Sequence, residues 1–116
     1  MSKSILITGN RKGIGLHLTN YYLSKGYNVT GCSRTDTSLI HPNYLHVVAD
    51  VSDEKMVRKV VSEAKKRFKT IDVLINNAGM ASLNHSLLTP GSTVKKLFET
   101  NFYGSFFFSR ECAKLM

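Results

Sequence analysis

Residues 5–15 constrain the fold more than any other part of the sequence. The stretch begins as a short apolar run and continues into a turn with Gly9, Gly13 and Gly15, after which a helical pattern starts. An apolar run of this length is typical of a strand buried on both faces. The unpaired N–H groups at the start of a helix, aided by the helix dipole, can bind an anion such as a pyrophosphate. The stretch therefore predicts a strand, a phosphate-binding turn and a helix.

The three glycines have separate expected roles. Gly9 can adopt a backbone conformation that other residues avoid, Gly13 lets the main chain approach a ligand, and Gly15 lets the helix pack closely on the strand. Their spacing, G-x-x-x-G-x-G, differs from the G-x-x-x-x-G-K of a P-loop and from the commoner G-x-G-x-x-G. The spacing thus predicts a phosphate-binding turn that is neither a P-loop nor the commoner G-x-G-x-x-G turn.

Strand and helix patterns alternate along the whole chain. Strands are predicted at 4–8, 28–33, 44–49 and 71–75, and helices at 13–25, 53–70 and 93–116, with loops at 34–43 and 80–92. Gly26 is placed to end the first helix, and Ser52 can cap the second, a role that Asp53 could share. This alternation predicts an α/β fold, with a parallel sheet, helices on both faces and right-handed crossovers.

Much of the formal net charge of +8 lies in residues 53–70. Apolar residues recur there at helical spacing and leave the lysines and arginines mainly on the other faces, which is typical of a solvated helix face. A nucleic-acid surface is the less favoured alternative, because no aromatic residues lie between these cations to stack on bases. We expect no nucleic-acid partner.

The positions of the cysteines and histidines favour neither a disulfide nor a metal site. Cys32 and Cys112 lie far apart, and the four histidines lack the spacing of metal ligands. No apolar run is long enough for a signal peptide or a membrane span. We therefore expect a cytoplasmic protein without a metal site, a disulfide or a membrane partner.

Four motifs occur in order at the expected places in these elements. They are Thr8-Gly9-x-x-x-Gly13-x-Gly15, Asp50-Val51 after the third strand, Asn76-Asn77-Ala78-Gly79 after the fourth, and Asn101 in the last helix. Together they resemble the short-chain dehydrogenase/reductase family. The resemblance implies a Rossmann-type, three-layer α/β/α domain with strand order 3-2-1-4, spanning residues 1–116. It also implies a nicotinamide coenzyme site at the carboxyl ends of the strands, formed by Gly9, Asn10, Arg11, Lys12, Gly13, Ile14, Gly15, Ser33, Arg34, Thr35, Asp50, Val51, Asn77, Ala78 and Gly79.

The residue after the second strand indicates which coenzyme binds. NAD(H) is usually held there by a carboxylate, whereas this chain has Arg34, which can form a charged fork to a 2′-phosphate. Lys12 can supply a second positive charge. These two residues favour NADP(H), although a shifted loop could bring Asp36 to the ribose and favour NAD(H).

The roles of Asp50 and Asn77 each have an alternative. By resemblance, Asp50 binds the adenine amino group and Val51 contacts the ring, but Asp50 could instead cap the following helix. Asn76 and Asn77 suit backbone contacts to a ribose, but they could also form a turn without a ligand.

The resemblance also implies a chemistry for which this chain supplies only part. Family members transfer a hydride between the nicotinamide and a small carbonyl or alcohol substrate, with a serine and a Tyr-x-x-x-Lys motif as catalytic group. The family's catalytic residues also include an asparagine, and it is the only one of them with a counterpart here, Asn101. By resemblance, Asn101 acts through its backbone and holds the water bound to the lysine. Tyr21 and Lys25 have the tyrosine–lysine spacing but lie near the end of the first helix, far from the glycine turn.

We therefore expect the N-terminal portion of a longer enzyme, truncated before the fifth strand. The alternative is a non-catalytic NADP(H)-binding module. The last helix carries aromatic residues on more than one face, which favours an apolar partner. By resemblance, that partner is a second subunit, which packs against the helix around Asn101 to form a homodimer or homotetramer.

Overall fold

The computed structural model of the chain describes residues 2–79 and 89–116. A four-stranded parallel sheet has the order β3-β2-β1-β4. Its strands are β1 (Ser4–Thr8), β2 (Asn28–Ser33), β3 (Tyr44–Val48) and β4 (Val73–Ile75). The helices are α1 (Gly13–Ser24), α2 (Glu54–Phe68), α3 (Gly91–Phe98) and α4 (Gly104–Ala113). The predicted Rossmann-type sheet with order 3-2-1-4 is confirmed.

The central strand β1 is buried over its full length because both faces of the sheet are covered. Ile5 and Ile7 pack with Leu23 of α1 on one face. Leu6 points to the other face, where it joins a core with residues of α2 and with Phe108 of α4. Since neighbouring residues of a strand point to opposite faces, this continuous apolar run supplies both cores.

Helix α1 is terminated by Gly26, the glycine predicted to end it. The helix ends at Ser24, one residue earlier than predicted. Gly26 has a φ of 84° and donates to the Leu23 carbonyl, while Tyr27 donates to the Tyr22 carbonyl. This is the Schellman arrangement, in which a left-handed residue lets the chain bond back to the last turn.

The second helix has the expected buried face, and its cap is one of the two candidates. Four residues spaced as predicted, Val57, Val60, Val61 and Ala64, are buried, and the basic side chains are exposed. Of the two candidate caps, Asp53 caps the helix and Ser52 does not: the Asp53 carboxylate accepts the N–H groups of Lys55 and Met56. The Ser52 hydroxyl is instead engaged with the carboxylate of Asp50, at 2.7 Å.

Two other boundaries differ from the prediction. β4 begins at Val73 and not at 71, because the Asp72 carboxylate accepts the Ser4 N–H at 2.8 Å outside the strand ladder. The last helix begins at Gly91, and a π-helical segment, Glu99–Tyr103, separates α3 from α4. Of the predicted loop 80–92, residues 80–88 lie outside the described residues, and the last two belong to α3.

The described residues contain no helix that is both long and apolar enough to cross a membrane. Within the same ranges, no three potential metal-ligating side chains of the His, Cys, Asp or Glu type come together. Cys32 and Cys112 are free and lie in one core. Burial raises the pKa of each thiol to about 12, so both remain protonated at neutral pH.

Phe108 should be the main anchor of α4 on the sheet. Its side chain is 0% exposed, whereas Phe98 at the start of the same helical region is 60% exposed. We expect Phe108→Ala to lower the free energy of unfolding by about 3–5 kcal/mol through the lost contacts and the cavity left behind. Ile40→Ala, at a side chain that is 93% exposed in the loop before β3, is the control and should change it by less than about 0.5 kcal/mol. Urea denaturation at one protein concentration measures both, and equal losses would contradict this account of the core.

Candidate functional site

The turn after β1 is closed by two glycines at positions that leave no space for a side chain. Gly9 has a φ of 63°, and a Cβ there would lie 2.8 Å from the Ala78 Cα. A Cβ on Gly15 would lie 2.7 Å from the Asn10 Cα and 2.7 Å from the Asn77 amide nitrogen. The start of α1 therefore packs directly against the turn and against the loop after β4, as expected for these glycines.

Thr8 connects the ends of the two neighbouring strands. Its buried hydroxyl oxygen accepts the N–H groups of Asn77 at 3.0 Å and of Ala78 at 2.9 Å. The Asn77 side-chain amide in turn donates to the Gly9 carbonyl at 3.0 Å. These three bonds hold the turn after β1 beside the loop after β4.

The N-terminus of α1 has the features of an anion site. Its cap residue, Lys12, makes no side-chain capping bond, and the first turn contains no acidic residue. The N–H groups of that turn are therefore not engaged by a capping side chain, and they lie at the positive end of the helix dipole. Arg11, Lys12 and the neighbouring Ile14 are exposed there.

A cleft of about 710 Å³ runs along the carboxyl ends of the strands. This volume is in the range of small-molecule sites, which span about 300–1,000 Å³. The lining residues come from the turn, from the ends of all four strands and from the last helical region: Gly9, Arg11, Lys12, Gly13, Cys32, Ser33, Arg34, Thr35, Ala49, Asp50, Val51, Asn77, Ala78, Gly79 and Thr100. The structure thus brings together all predicted coenzyme-binding residues except Asn10, Ile14 and Gly15.

Those three residues lie next to the cleft without lining it. Gly15 is buried under the turn, and Ile14 is exposed on the first turn of α1. Asn10 is 1% exposed, and its amide donates to Thr19 Oγ1 and to the Tyr44 hydroxyl. The side chain of Asn10 is therefore part of the protein interior.

Three lining residues were not predicted: Cys32, Ala49 and Thr100. The first two lie at the carboxyl ends of predicted strands, so their position in the sequence was a usable signal. Thr100 precedes Asn101 in the π-helical segment. Asn101 lies close to the cleft, since a Cβ on Gly79 would be 3.3 Å from its side-chain oxygen.

Cations surround the end of the cleft next to β2. Arg34 is exposed there, between Ser33 and Thr35, which also line the cleft. Arg11 reaches the same loop, because its Nε donates to the Asp36 carbonyl at 3.1 Å. The Asp36 carboxylate accepts the Thr37 N–H at 2.8 Å and does not line the cleft. This end of the cleft therefore favours a negatively charged group.

Asp50 is the acidic residue of the cleft, and it stays ionised at neutral pH. Burial by itself raises the pKa of Asp50, but the N–H and hydroxyl of Ser52 and the charges of Arg34 and Lys96 outweigh it and lower the pKa. The alternative role of Asp50, as the cap of the following helix, is not observed, because Asp53 caps α2. Its carboxylate accepts the Ser52 N–H and hydroxyl through Oδ1, and as an ionised group in the cleft lining it can accept a further hydrogen bond.

Tyr21 and Lys25 are remote from this arrangement. The Lys25 Nζ lies 5.5 Å from the centre of the Tyr21 ring, and both residues lie at the C-terminal end of α1. The cleft is at the opposite end of that helix. The pair is a surface contact between a cation and an aromatic ring.

Comparison with known proteins agrees with this geometry. A family model described as short chain dehydrogenase matches residues 3–116. The chain belongs to the short-chain dehydrogenase family. It is 36% identical over 115 residues to an uncharacterized oxidoreductase of Schizosaccharomyces pombe, an alignment that covers 97% of this chain and 39% of that protein.

Solved structures show the same fold. The aldohexose dehydrogenase of Thermoplasma acidophilum in ligand-free form superimposes with a TM-score of 0.92 at 24% identity, over 99% of this chain and 44% of that one. ElxO with NADP bound has a TM-score of 0.89 and 31% identity, over 98% of this chain and 50% of that one. This short-chain dehydrogenase chain therefore spans half or less of the length of these three proteins.

The Thr8 hydroxyl should contribute measurably to stability. Thr8→Val keeps the shape of the side chain but leaves the N–H groups of Asn77 and Ala78 without their acceptor. We expect a loss of about 1–3 kcal/mol in the free energy of unfolding, the usual cost of unsatisfied buried donors. Thr8→Ser retains the oxygen and should lose less, about the value of one buried methyl group, ~0.8 kcal/mol. Urea unfolding that ranked the two variants in the opposite order would contradict this role.

Proposed function

We propose that the chain forms the coenzyme-binding part of an NADP(H)-dependent oxidoreductase, which transfers a hydride between the nicotinamide and a small carbonyl or alcohol substrate. The observation that carries the proposal is Arg34, an exposed cation in the cleft directly after β2. In this fold a residue at that place lies near the adenosine ribose. A guanidinium cannot accept hydrogen bonds from the ribose hydroxyls, but it can bind a 2′-phosphate through two parallel bonds.

The surroundings of Arg34 support NADP(H) over NAD(H). Lys12 lines the same cleft and adds a second positive charge. Asp36, the carboxylate that could have favoured NAD(H), is bonded to the N–H of Thr37 and does not line the cleft. Among related structures, ElxO, at 31% identity, is described with NADP bound.

The residues of the chain fit the separate parts of such a coenzyme. The uncapped N–H groups of the first turn of α1 suit the pyrophosphate. The ionised Asp50 can accept a hydrogen bond from the adenine amino group, and Val51 offers an apolar surface to the ring. The loop from Asn77 to Gly79 offers backbone groups to the second ribose. When bound, NADPH supplies the hydride that reduces a carbonyl carbon, and NADP⁺ accepts one from an alcohol.

The chain would also orient the nicotinamide, the reacting end of the coenzyme. The bonds of Thr8 and Asn77 hold the turn and the loop after β4 at a fixed separation, which limits where the nicotinamide can lie. Asn101 lies next to Gly79 in the π-helical segment, and we assign it the supporting catalytic role implied by the resemblance. Single π-helical turns are frequent at functional sites.

The proposal predicts a selective loss in Arg34→Ala. Hydrogen bonds to a charged group contribute enough for NADPH binding to weaken about 10- to 100-fold, while NADH binding changes little. Titration calorimetry with both coenzymes measures the two dissociation constants. Lys25→Ala, which removes a cation at the far end of α1, is the control and should bind both coenzymes as the wild type does. Equal losses for NADPH and NADH in Arg34→Ala would overturn the NADP(H) assignment.

We also propose that the complete protein is a homodimer or homotetramer formed through the last helical region. Phe98, Phe102, Tyr103 and Phe106 are exposed on it, at 46–60%, and ring contacts join Phe98 to Phe102 and Phe102 to Tyr103. Covering several aromatic side chains contributes strongly to association. A second copy of the same helix would cover them through a self-complementary contact.

Sedimentation at several protein concentrations tests this assembly. We expect the wild type to associate and the double variant Phe102→Glu/Phe106→Glu to remain monomeric, because the introduced carboxylates of both copies would be buried in the dimer. Ile40→Glu is the control, since Ile40 is 93% exposed in the loop before β3. A wild type that stays monomeric at high concentration would contradict the proposal.

A further inference from the structure

A chain of hydrogen-bonded side chains, which we name the relay, runs from buried residues of α1 and of the turn after β1 to half-buried residues at the end of β2. It consists of Thr19, Asn10, Tyr44, His46 and Ser33. The Asn10 amide donates to Thr19 Oγ1 at 3.0 Å and to the Tyr44 hydroxyl at 2.8 Å. The Tyr44 hydroxyl lies 2.6 Å from His46 Nδ1, and His46 Nε2 lies 2.9 Å from Ser33 Oγ. The relay thus connects the turn after β1 with the loop at the cationic end of the cleft.

The hydrogen atoms in the relay can be assigned from its ends. Asn10 uses both amide hydrogens as a donor, so the Tyr44 hydroxyl accepts one of them and gives its own hydrogen to His46 Nδ1. Burial raises the pKa of Tyr44 to about 12, and the hydroxyl therefore keeps that hydrogen. With Nδ1 as acceptor, the neutral His46 ring carries its hydrogen on Nε2 and donates toward the loop.

The donating nitrogen of His46 contacts two residues of that loop. His46 Nε2 lies 2.9 Å from Ser33 Oγ and 3.3 Å from the Thr35 carbonyl. Ser33 Oγ also donates to the Thr35 carbonyl. His46 therefore binds the residues on both sides of Arg34.

Gly31 on β2 has no side chain and so leaves room for the side chains of the relay. Gly31 is the residue opposite His46 in the parallel register. A Cβ on Gly31 would collide with the Asn10 amide and with the Tyr44 hydroxyl. Tyr44 and His46 are two residues apart on β3, so both side chains point to this same face of the sheet. The relay is thus a packed part of the fold and depends on a glycine in the middle of a strand.

Arg34 has few other constraints on its position. Within residues 2–79 and 89–116 the structure gives its side chain no hydrogen bond and no ion pair, and the residue is exposed. The direction in which its side chain leaves the main chain depends on the backbone from Ser33 to Thr35, and the attraction between its charge and that of Asp50 acts on the guanidinium in addition. His46 contributes to holding that backbone, because His46 and Ser33 both bond to the Thr35 carbonyl, beside the bonds from the Ala49 N–H to the Ser33 carbonyl and from Arg11 to the Asp36 carbonyl.

We propose that His46 is a positioning residue for coenzyme specificity: through Ser33 and Thr35 it holds Arg34 where a 2′-phosphate binds. The inference rests on the proposed NADP(H) function and adds a residue that does not line the cleft. A cation held in place before binding loses less conformational freedom when the phosphate arrives, and its contribution to affinity is larger. We expect the effect mainly on the 2′-phosphate, because among the described residues no hydrogen bond joins His46 directly to the turn after β1 or to α1, where the pyrophosphate would bind.

The experiment compares NADPH and NADH binding to the purified chain and to His46→Leu and Tyr44→Phe, with folding checked by circular dichroism. His46→Leu removes both ring nitrogens, and we expect it to weaken NADPH binding about 3- to 10-fold, the range for one or two lost hydrogen bonds, with NADH binding unchanged. Tyr44→Phe keeps the ring in the core but removes the acceptor and donor next to His46. It should shift the preference in the same direction by a smaller factor.

Two further variants sharpen the result. His46→Gln offers an amide donor and an acceptor in place of the two ring nitrogens, and it should restore part of the NADPH preference. His41→Gln is the matched control, because His41 also accepts a hydrogen bond through its ring, from the Asn43 N–H, but does not contact residues 33–35. It should leave both dissociation constants unchanged.

The outcomes separate the inference from the function on which it rests. If the wild type binds NADPH no better than NADH, the proposed function fails and the role of His46 fails with it. If the wild type prefers NADPH but His46→Leu keeps the same ratio of dissociation constants, the inference alone is overturned. The inference is equally overturned if both coenzymes lose affinity by the same factor, since such a loss reports only a general effect on folding.

Discussion

The close contact between the turn after β1 and the loop after β4 is the constraint on which the cleft depends. Gly9 has no space for a side chain beside Ala78, and the Thr8 hydroxyl accepts two N–H groups of that loop. Asn77 completes the contact by donating to the Gly9 carbonyl. Because the start of α1 also packs on this turn through Gly15, the helix N-terminus and two strand ends share one geometry. The backbone groups at the start of α1 and at the two strand ends therefore cannot move independently.

Hydrogen-bonded polar side chains on one face of the sheet connect the turn after β1 to the other two strands as well. Asn10 belongs to the turn, yet its amide is buried and reaches Tyr44 on β3. From there the bonds continue through His46 to Ser33 at the end of β2. Buried polar groups are costly when unpaired, so a connected network favours one arrangement of the segments that it joins. The loops around the cleft are thus connected to each other as well as to the sheet.

Much of the fold could be predicted from local patterns. The apolar run at residues 5–7 requires cover on both faces, and the spacing of Val57, Val60 and Val61 specifies the buried face of α2. The cap of α2 shows the limit of this reasoning. Ser52 and Asp53 are both good capping residues, and the sequence does not reveal that Asp50 engages Ser52. The π-helical turn at Glu99–Tyr103 likewise has no signature in the residue pattern.

The candidate site was predictable to the extent that it consists of strand ends. Arg34, Asp50 and Asn77 follow predicted strands, and parallel strands bring their carboxyl ends to one edge. Asn10 shows what this reasoning missed. It lies among residues that line the cleft, but its amide points into the interior, and neither polarity nor spacing distinguishes the two sides of the turn.

The order of strands and helices, the glycine turn and the family membership were determined by the sequence alone, because they depend on residues close together in the chain. Only the tertiary structure decided that Asn10 meets Tyr44, which is 34 residues away, and that His46 bonds to Ser33 and Thr35, the neighbours of Arg34. The physical reason is the register of the sheet. Alternation along β3 puts Tyr44 and His46 on one face, but what they meet there depends on which strand lies beside β3 and on the space that Gly31 leaves.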